Sequence, residues 1–378
     1  MSTVRSGLEG VMATSSAVSF IDGDRSLLTY RGYSATDLAQ QSTFEETAYL
    51  LLEGELPTRA QLEAFVAQLE AARPVPQPVL DRLAALPQAD PMALLRTGVS
   101  LLAHFDPDRG RTEPDALRRT VQRLVAQMPT LVAAIGRLGQ GLPPIPPLRG
   151  LGPTGRPTAT QLLFMLQGRE PEPESVRLLD IAFILHADHE LNASTFTGRV
   201  IAATLSDIHS GVVGALGALK GPLHGGANEL ARRMFETIGE ASQAAAWTQQ
   251  ALARKERIMG MGHRVYRQAD PRAEFLRQEL LALRHRPEVG RWLDIALEVE
   301  RVVREAKGLH PNPDFFTAIL YGAVGIPTPL FTPVFAVSRV AGWGAHVLEQ
   351  LANNRLIRPR AQYVGPGPRP FVRLPERT

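Results

Sequence analysis

DALRRTVQRLVAQMPTLVAAIGRLGQG, residues 115–141, is the stretch that decides the fold. Its apolar residues recur at Leu117, Val121, Leu124, Val125, Met128, Leu131, Val132 and Ile135, the spacing that gives a helix one apolar face. Glycines close it. The same rhythm runs through SATDLAQQ (34–41), TFEETAYLLLEG (43–54), PTRAQLEAFVAQLEAAR (57–73), SVRLLDIAFILHADHE (175–190), ELARRMFETIGEA (229–241), FLRQELLALRHR (275–286) and RWLDIALEVERVVREA (291–306). Several of these segments open on Ser, Thr or Pro, and Thr58 with Gln61 forms a capping box. The pattern predicts an all-α chain of roughly 15 to 20 helices. One segment departs from it: in AVSFIDGDRSLLTYRGY (17–33), two short runs flank Asp22-Gly23 and predict a β-hairpin.

With 378 residues, 44% hydrophobic and 21% charged, the chain can bury a large core and form two or three domains. There is no cysteine, which excludes disulfides, thiolate metal sites and cysteine nucleophiles. The N-terminus lacks the basic-then-apolar pattern of a signal peptide, and no added N-terminal regulatory domain is expected before the hairpin. The most apolar run, IAATLSDIHSGVVGALGAL (201–219), carries Asp207 and His209, so no membrane span and a cytoplasmic location are expected. Net charge is only +3 and the arginines are dispersed, without the basic stripe and interleaved aromatics of a nucleic-acid binder. GLPPIPPLRGLGPTGRP (141–157) reads as a long loop, and the tail RPRAQYVGPGPRPFVRLPERT (358–378) as an extended segment lying over a surface. Gly221-Pro222 and Ile326–Pro329 read as hinges around a smaller, chemistry-rich segment.

Five places carry unusual polar residues. KGPLHGGANE (220–229) sets His224 between a Gly-Pro corner and two glycines, at the start of a helix whose dipole disfavours imidazolium. HADHELN (186–192) holds His186 and His189, which helical spacing would put on one face. GMGHRVYRQADPR (260–272) adds His263, Arg264, Arg267 and Arg272; PNPDFF (311–316) adds Asp314; VSRVAGWGAH (337–346) sets Arg339 in an apolar helix. Each has a plainer reading alone: a helix-end histidine pair, an N-cap aspartate, a salt-bridged arginine. His104, His209, His285, His310 and His346 have no distinctive context. Together, neutral histidines, a carboxylate and isolated arginines suit removal of a weakly acidic C–H proton beside an anionic substrate, with imidazole donors on the developing enolate and arginines clamping carboxylates. A metal-dependent hydrolase built on His186, His189 and Asp188 or Glu190 is the rival from another class, though neither H-E-x-x-H nor H-x-x-E-H is present.

The chain resembles the citrate synthases, of the shorter bacterial kind, through SFIDGD, YRGY, HADHELNAST, GALKGPLHGGANE, GMGHRVYR, ADPR, SRVAGWGAHVLEQ and RLIRPRAQYVG. The resemblance implies a two-domain helical fold with a short N-terminal β-hairpin: a large dimerisation domain of 1–223 and 329–378, and a small hinged domain of 224–328 on the CoA side. It implies condensation of acetyl-CoA with oxaloacetate and water to citrate and CoA, through an enolate and citryl-CoA. The alternative is 2-methylcitrate synthesis from propionyl-CoA. It further implies His224 as donor to the thioester oxygen, His263 as the group polarising the oxaloacetate carbonyl, and Asp314 as the base. His189, His263, Arg272, Arg339 and Arg358 would bind oxaloacetate, with Arg358 reaching the other subunit of a homodimer, and Arg267 and Lys255 would lie near CoA. No metal and no permanently bound cofactor are implied; acetyl-CoA is a co-substrate. Two departures stand out: NPD replaces the commoner NVD, with Pro313 before the base, and MGHR replaces FGHR.

Overall fold

Why the chain breaks into so many helices is visible at their ends. The computed structural model describes residues 5–8, 10–87, 90–150, 157–263 and 265–377. Side chains of Ser34, Thr43, Thr58, Asp90, Asn192, Asp207, Asp270 and Asn312 accept backbone N–H groups at helix starts, and Thr58 and Gln61 close the expected capping box. Prolines occupy first-turn positions where no backbone donor is needed.

Sixteen α-helices result among the described residues: α1 Ala35–Gln41, α2 Phe44–Glu53, α3 Arg59–Ala72, α4 Gln77–Ala84, α5 Pro91–Leu102, α6 Pro114–Leu138, α7 Pro157–Gln167, α8 Pro173–His186, α9 Ala193–Ala202, α10 Ile208–Leu219, α11 Ala227–Ile238, α12 Ala241–Ala253, α13 Pro271–Ala282, α14 Pro287–Lys307, α15 Pro313–Ala323 and α16 Phe331–Ala352. The only sheet among them has strands β1 Ser19–Asp22, β2 Leu27–Tyr30 and β3 Tyr33–Ser34, antiparallel in the order β1-β2-β3. The expected hairpin is present, but its connection is the four residues Gly23–Ser26 rather than a two-residue Asp-Gly turn. Asp22 Oδ1 accepts the N–H groups of Asp24 and Arg25 and so stabilises that wider loop.

α16 is the spine. Phe331 through Val347 is buried on every side, and α16 packs against α2, α6, α8, α9 and α10. A helix buried all round needs small residues where neighbours come close. At Gly342 a Cβ would stand 2.3 Å from the Ala187 carbonyl oxygen and 2.5 Å from Asp188 Oδ1, so glycine lets α16 press directly on the loop after α8. α11 and α13 pack on α15, and α12 on α14. Residues 142–150 of the Pro-rich loop are non-helical, while 151–156 lie outside the described residues. From Asn353 to Arg373 the tail has no helix or strand, as its composition predicts, but nearly all of it is exposed and not laid over this chain's own surface.

Candidate active site

Three helix starts, one helix interior and two loops bring the candidate residues together. α8 stops at His186, so His189 is not on its helical face as the spacing predicts; it sits in the following loop, where Glu190 has a positive φ of 49°. His186 turns inward, its Nδ1 2.9 Å from the Ala182 carbonyl oxygen and its ring 4.6 Å from that of Phe335. Asp188 is engaged by Ser19 Oγ at 2.5 Å and His346 Nε2 at 3.0 Å, and Glu190 Oε1 accepts the Ile21 N–H. These groups point in different directions, so the rival hydrolase centre of His186, Asp188, His189 and Glu190 does not form. His346, read as undistinguished, is a fully buried partner of Asp188. His209, also read so, is buried beside Asp106.

His189 and His263 stand with ring centroids 5.1 Å apart, and Tyr266 Oη lies 3.4 Å from His189 Nε2. His263 Nδ1 accepts two backbone N–H groups, from Val265 at 2.9 Å and Tyr266 at 3.3 Å. An acceptor nitrogen carries no proton in a neutral ring, so the proton sits on Nε2. Burial, aided by the Arg272 charge and opposed by Asp270, lowers the His263 pKa to about 4. Burial, then Arg339, brings His224 to about 4 as well, and burial, then Arg272, holds His189 well below the usual histidine range. All three are neutral near pH 7. For His224 the larger cause is burial, ahead of the Arg339 charge.

His224 lies in the turns before α11, with Nε2 2.8 Å from Ser194 Oγ. That hydroxyl also accepts the Trp343 indole N–H at 3.1 Å and donates to Oδ1 of Asn192, the N-cap of α9, at 2.7 Å. Ser194 and Trp343 were not singled out in the sequence; the Asn-x-Ser cap before α9 was the available signal.

Arg272 is 4% exposed and grips Asp270, the N-cap of its own helix, through Nε at 3.1 Å and Nη2 at 2.8 Å. Burial works against its charge, and Asp270 more than offsets it. Arg339 is not salt-bridged. It is 1% exposed, donates through Nε to the His186 carbonyl oxygen at 2.6 Å, and lies over the Phe335 ring. Its Nη groups make no hydrogen bond among the described residues, and burial lowers its pKa to about 10 against the pull of Asp188. A buried guanidinium with unused donors calls for an anion.

Asp314 stands at the start of α15, whose N-cap is Asn312 and not Asp314 itself. Pro313 fits the first turn without disturbing the cap, because its missing N–H has no partner to lose there. Asp314 Oδ1 is buried with no hydrogen-bond partner, while the residue as a whole stays partly exposed. Burial pushes its pKa up to about 7, against Arg272 and Arg339. A carboxylate poised near neutrality beside two guanidiniums has the properties of a base.

Three expected residues lie apart from this cluster. Arg358 is exposed on the tail. Arg267 is 82% exposed, with Nη1 3.3 Å from Asp24 Oδ1. Lys255 is exposed just past α12, at a φ of 58°. Arg264 lies outside the described residues. Among the described residues, His189, His263 and Asp270 form one group whose ligand atoms lie within 4.8 Å of each other. It suits a cation poorly, because Arg272 occupies both Asp270 oxygens and two amides occupy His263 Nδ1.

The citrate synthase C-terminal domain family matches residues 7–360. Citrate synthase 2 of Bacillus subtilis is 47% identical over 99% of this chain and 100% of its own. The 2-methylcitrate synthase of Shewanella oneidensis is 42% identical over 98% of this chain and 97% of its own. The crystal structure of citrate synthase from Thermotoga maritima matches with a TM-score of 0.89, at 38% identity over 100% of both chains. The ternary complex of Thermoplasma acidophilum citrate synthase with carboxymethyl coenzyme A and oxaloacetate matches with a TM-score of 0.93, at 34% identity over 100% of both chains. With that coverage, and with an all-α fold gathering three neutral histidines, two buried arginines and a carboxyl group, the chain belongs to the citrate synthase family.

Proposed function

We propose that this chain is a citrate synthase that condenses acetyl-CoA with oxaloacetate, with the residues above in the following roles. The observation that carries the reading is Asp314: a carboxyl with one oxygen enclosed and unpaired, held near neutral pKa beside Arg272 and Arg339. Asp314 takes a proton from the acetyl methyl group. Charge develops on the thioester oxygen, where a preorganised donor stabilises it most. His224 supplies that donor. The Ser194 hydroxyl, which donates to Asn192 Oδ1, stands 2.8 Å from His224 Nε2 and fixes the orientation of the ring. The Trp343 N–H occupies another position on the same hydroxyl and holds it in place.

The enolate carbon then attacks the keto carbon of oxaloacetate. His263, protonated on Nε2, donates to the keto oxygen as it becomes an alkoxide. His189 and the free N–H groups of Arg272 and Arg339 hold the two carboxylates. Hydrolysis of citryl-CoA releases citrate and CoA. Residues 224–328 act as a smaller domain that closes against 1–223 and 329–378, excluding water until the carbon–carbon bond has formed. The exposed tail supports a homodimer in which Arg358 completes the partner's site, and Arg267 and Lys255 lie on the exposed side where CoA would enter. No helix among the described residues is long and apolar enough to cross a membrane, which supports a cytoplasmic location.

The test is release of CoA thiol from acetyl-CoA and, separately, propionyl-CoA, each with and without oxaloacetate. The chain has no cysteine to contribute background. Oxaloacetate-dependent release that is faster with acetyl-CoA supports the reading. Faster release from propionyl-CoA makes the enzyme a 2-methylcitrate synthase, and no release from either overturns the assignment of Asp314.

A further inference from the structure

The β-hairpin takes no part in the chemistry above, yet one edge of it touches both loops that carry the oxaloacetate histidines. β1 pairs with β2 along one edge, with Val18 accepting the Arg31 N–H, so Ser19, Ile21 and Gly23 turn to the opposite, open edge. At Ser19 the side chain donates to Asp188 Oδ2 and accepts the Glu190 N–H at 3.0 Å. The Ile21 N–H donates to Glu190 Oε1 at 2.8 Å. His189 lies between those two acids. Two residues further along, the Gly23 carbonyl accepts the Arg267 N–H at 3.2 Å, and Asp24 faces the Arg267 guanidinium. A Cβ at Gly23 would stand 2.2 Å from the Val265 carbonyl oxygen. Val265 and Tyr266 are the residues whose amides fix the His263 tautomer. Behind the strand, Tyr30 Oη lies 3.1 to 3.2 Å from the carbonyls of Ile184, Leu185 and Asp188 at the end of α8.

We propose that the open edge of β1 is a positioning element for the oxaloacetate site. Ser19 and Ile21 hold the loop of His189, and Gly23, the first residue past the strand, holds the loop of His263 beside it, so that both imidazoles face one ligand. The contact also joins the two proposed domains, since 19–24 belongs to the larger and 263–267 to the smaller. Gly23 is therefore where backbone must approach without a side chain, and Glu190 is an acceptor that fixes His189 without touching substrate. This inference rests on the citrate synthase reading.

The experiment measures KM for each substrate, kcat and the unliganded Tm for wild type, Gly23→Ala, Glu190→Ala and Glu190→Gln. Gly23→Ala drives a methyl group into the Val265 carbonyl, and we expect the oxaloacetate KM to rise about tenfold and kcat to fall, the size of one displaced buried hydrogen bond. The acetyl-CoA KM should rise less, because His224 is not on this edge and, of the CoA-side groups, only Arg267 touches it. Glu190→Ala should act in the same direction, and Glu190→Gln should restore most of the loss, because an amide oxygen still accepts the Ile21 N–H. Unchanged oxaloacetate KM and kcat in folded Gly23→Ala would overturn the proposal. So would equal increases in both KM values, which would mark a general loosening. Absence of oxaloacetate-dependent turnover in wild type would instead overturn the functional reading beneath it.

Discussion

Asp314→Asn separates the chemical role of this carboxyl from its effect on stability. A carboxyl moved from an ordinary 3.8 to about 7 by burial carries a penalty on its charged form of about 4 kcal/mol at most. Because the residue keeps a partly exposed edge, about 2 kcal/mol is the expected share. Folding raises this pKa, so the group's contribution to stability is fully present below pH ~4 and is lost as pH rises through ~7. Asparagine has the same shape and no charge to bury. The variant should therefore exceed wild type in Tm by only about 1 °C at pH 5 and by about 2–3 °C at pH 8, for a chain of this length. Its kcat should fall by at least about 10³, since the neighbouring acids Asp188 and Asp270 are already held by Ser19, His346 and Arg272. Differential scanning calorimetry at both pH values and CoA release at pH 8 give the two readouts. An Asp314→Asn enzyme that retains a tenth of wild-type turnover, or is less stable than wild type at pH 8, would refute the placement of a buried base here.

Other expectations follow from the same geometry. For wild type, kcat/KM for acetyl-CoA should fall about tenfold per pH unit below ~7, with no second step above pH 5, because His224 and His263 titrate near 4; a step near 6 would show one of them cationic in the free enzyme. Arg339→Lys should raise the oxaloacetate KM by about 10- to 100-fold with a smaller change for acetyl-CoA, since a point charge replaces a planar fork; unchanged kinetics would remove Arg339 from the carboxylate clamp. Ser194→Ala leaves His224 Nε2 without its partner and should lower kcat about tenfold at unchanged oxaloacetate KM, a split that steady-state kinetics with each substrate varied would reveal. Mixing inactive Arg358→Ala with inactive His224→Ala should restore about a quarter of wild-type activity if sites are shared across a dimer; no recovery after subunit exchange would place each site within one chain.

The helices were legible because capping residues and 3.6-residue periodicity are local signals, and α3 with its Thr58–Gln61 box shows this plainly. The reading failed where tertiary contacts decide. His186 and His189 have helical spacing, but α8 ends between them because Asp188 is drawn to Ser19 and His346. Asp22-Gly23 signalled a turn, but Asp22 capped Asp24 and Arg25 and widened it. The candidate bases and donors were readable from their glycine and proline flanks. What sequence could not show was which groups support them: Ser194 and Trp343 behind His224, and the open edge of β1 behind His189 and His263, are neighbours only in space.

Carbon–carbon bond formation is observed by following [methyl-13C]acetyl-CoA with oxaloacetate and the purified protein by NMR. The expected result is label in a methylene carbon of citrate, one CoA released per citrate, and neither product without oxaloacetate. Label recovered as acetate, or acetyl-CoA left unconverted beside oxaloacetate, would contradict it.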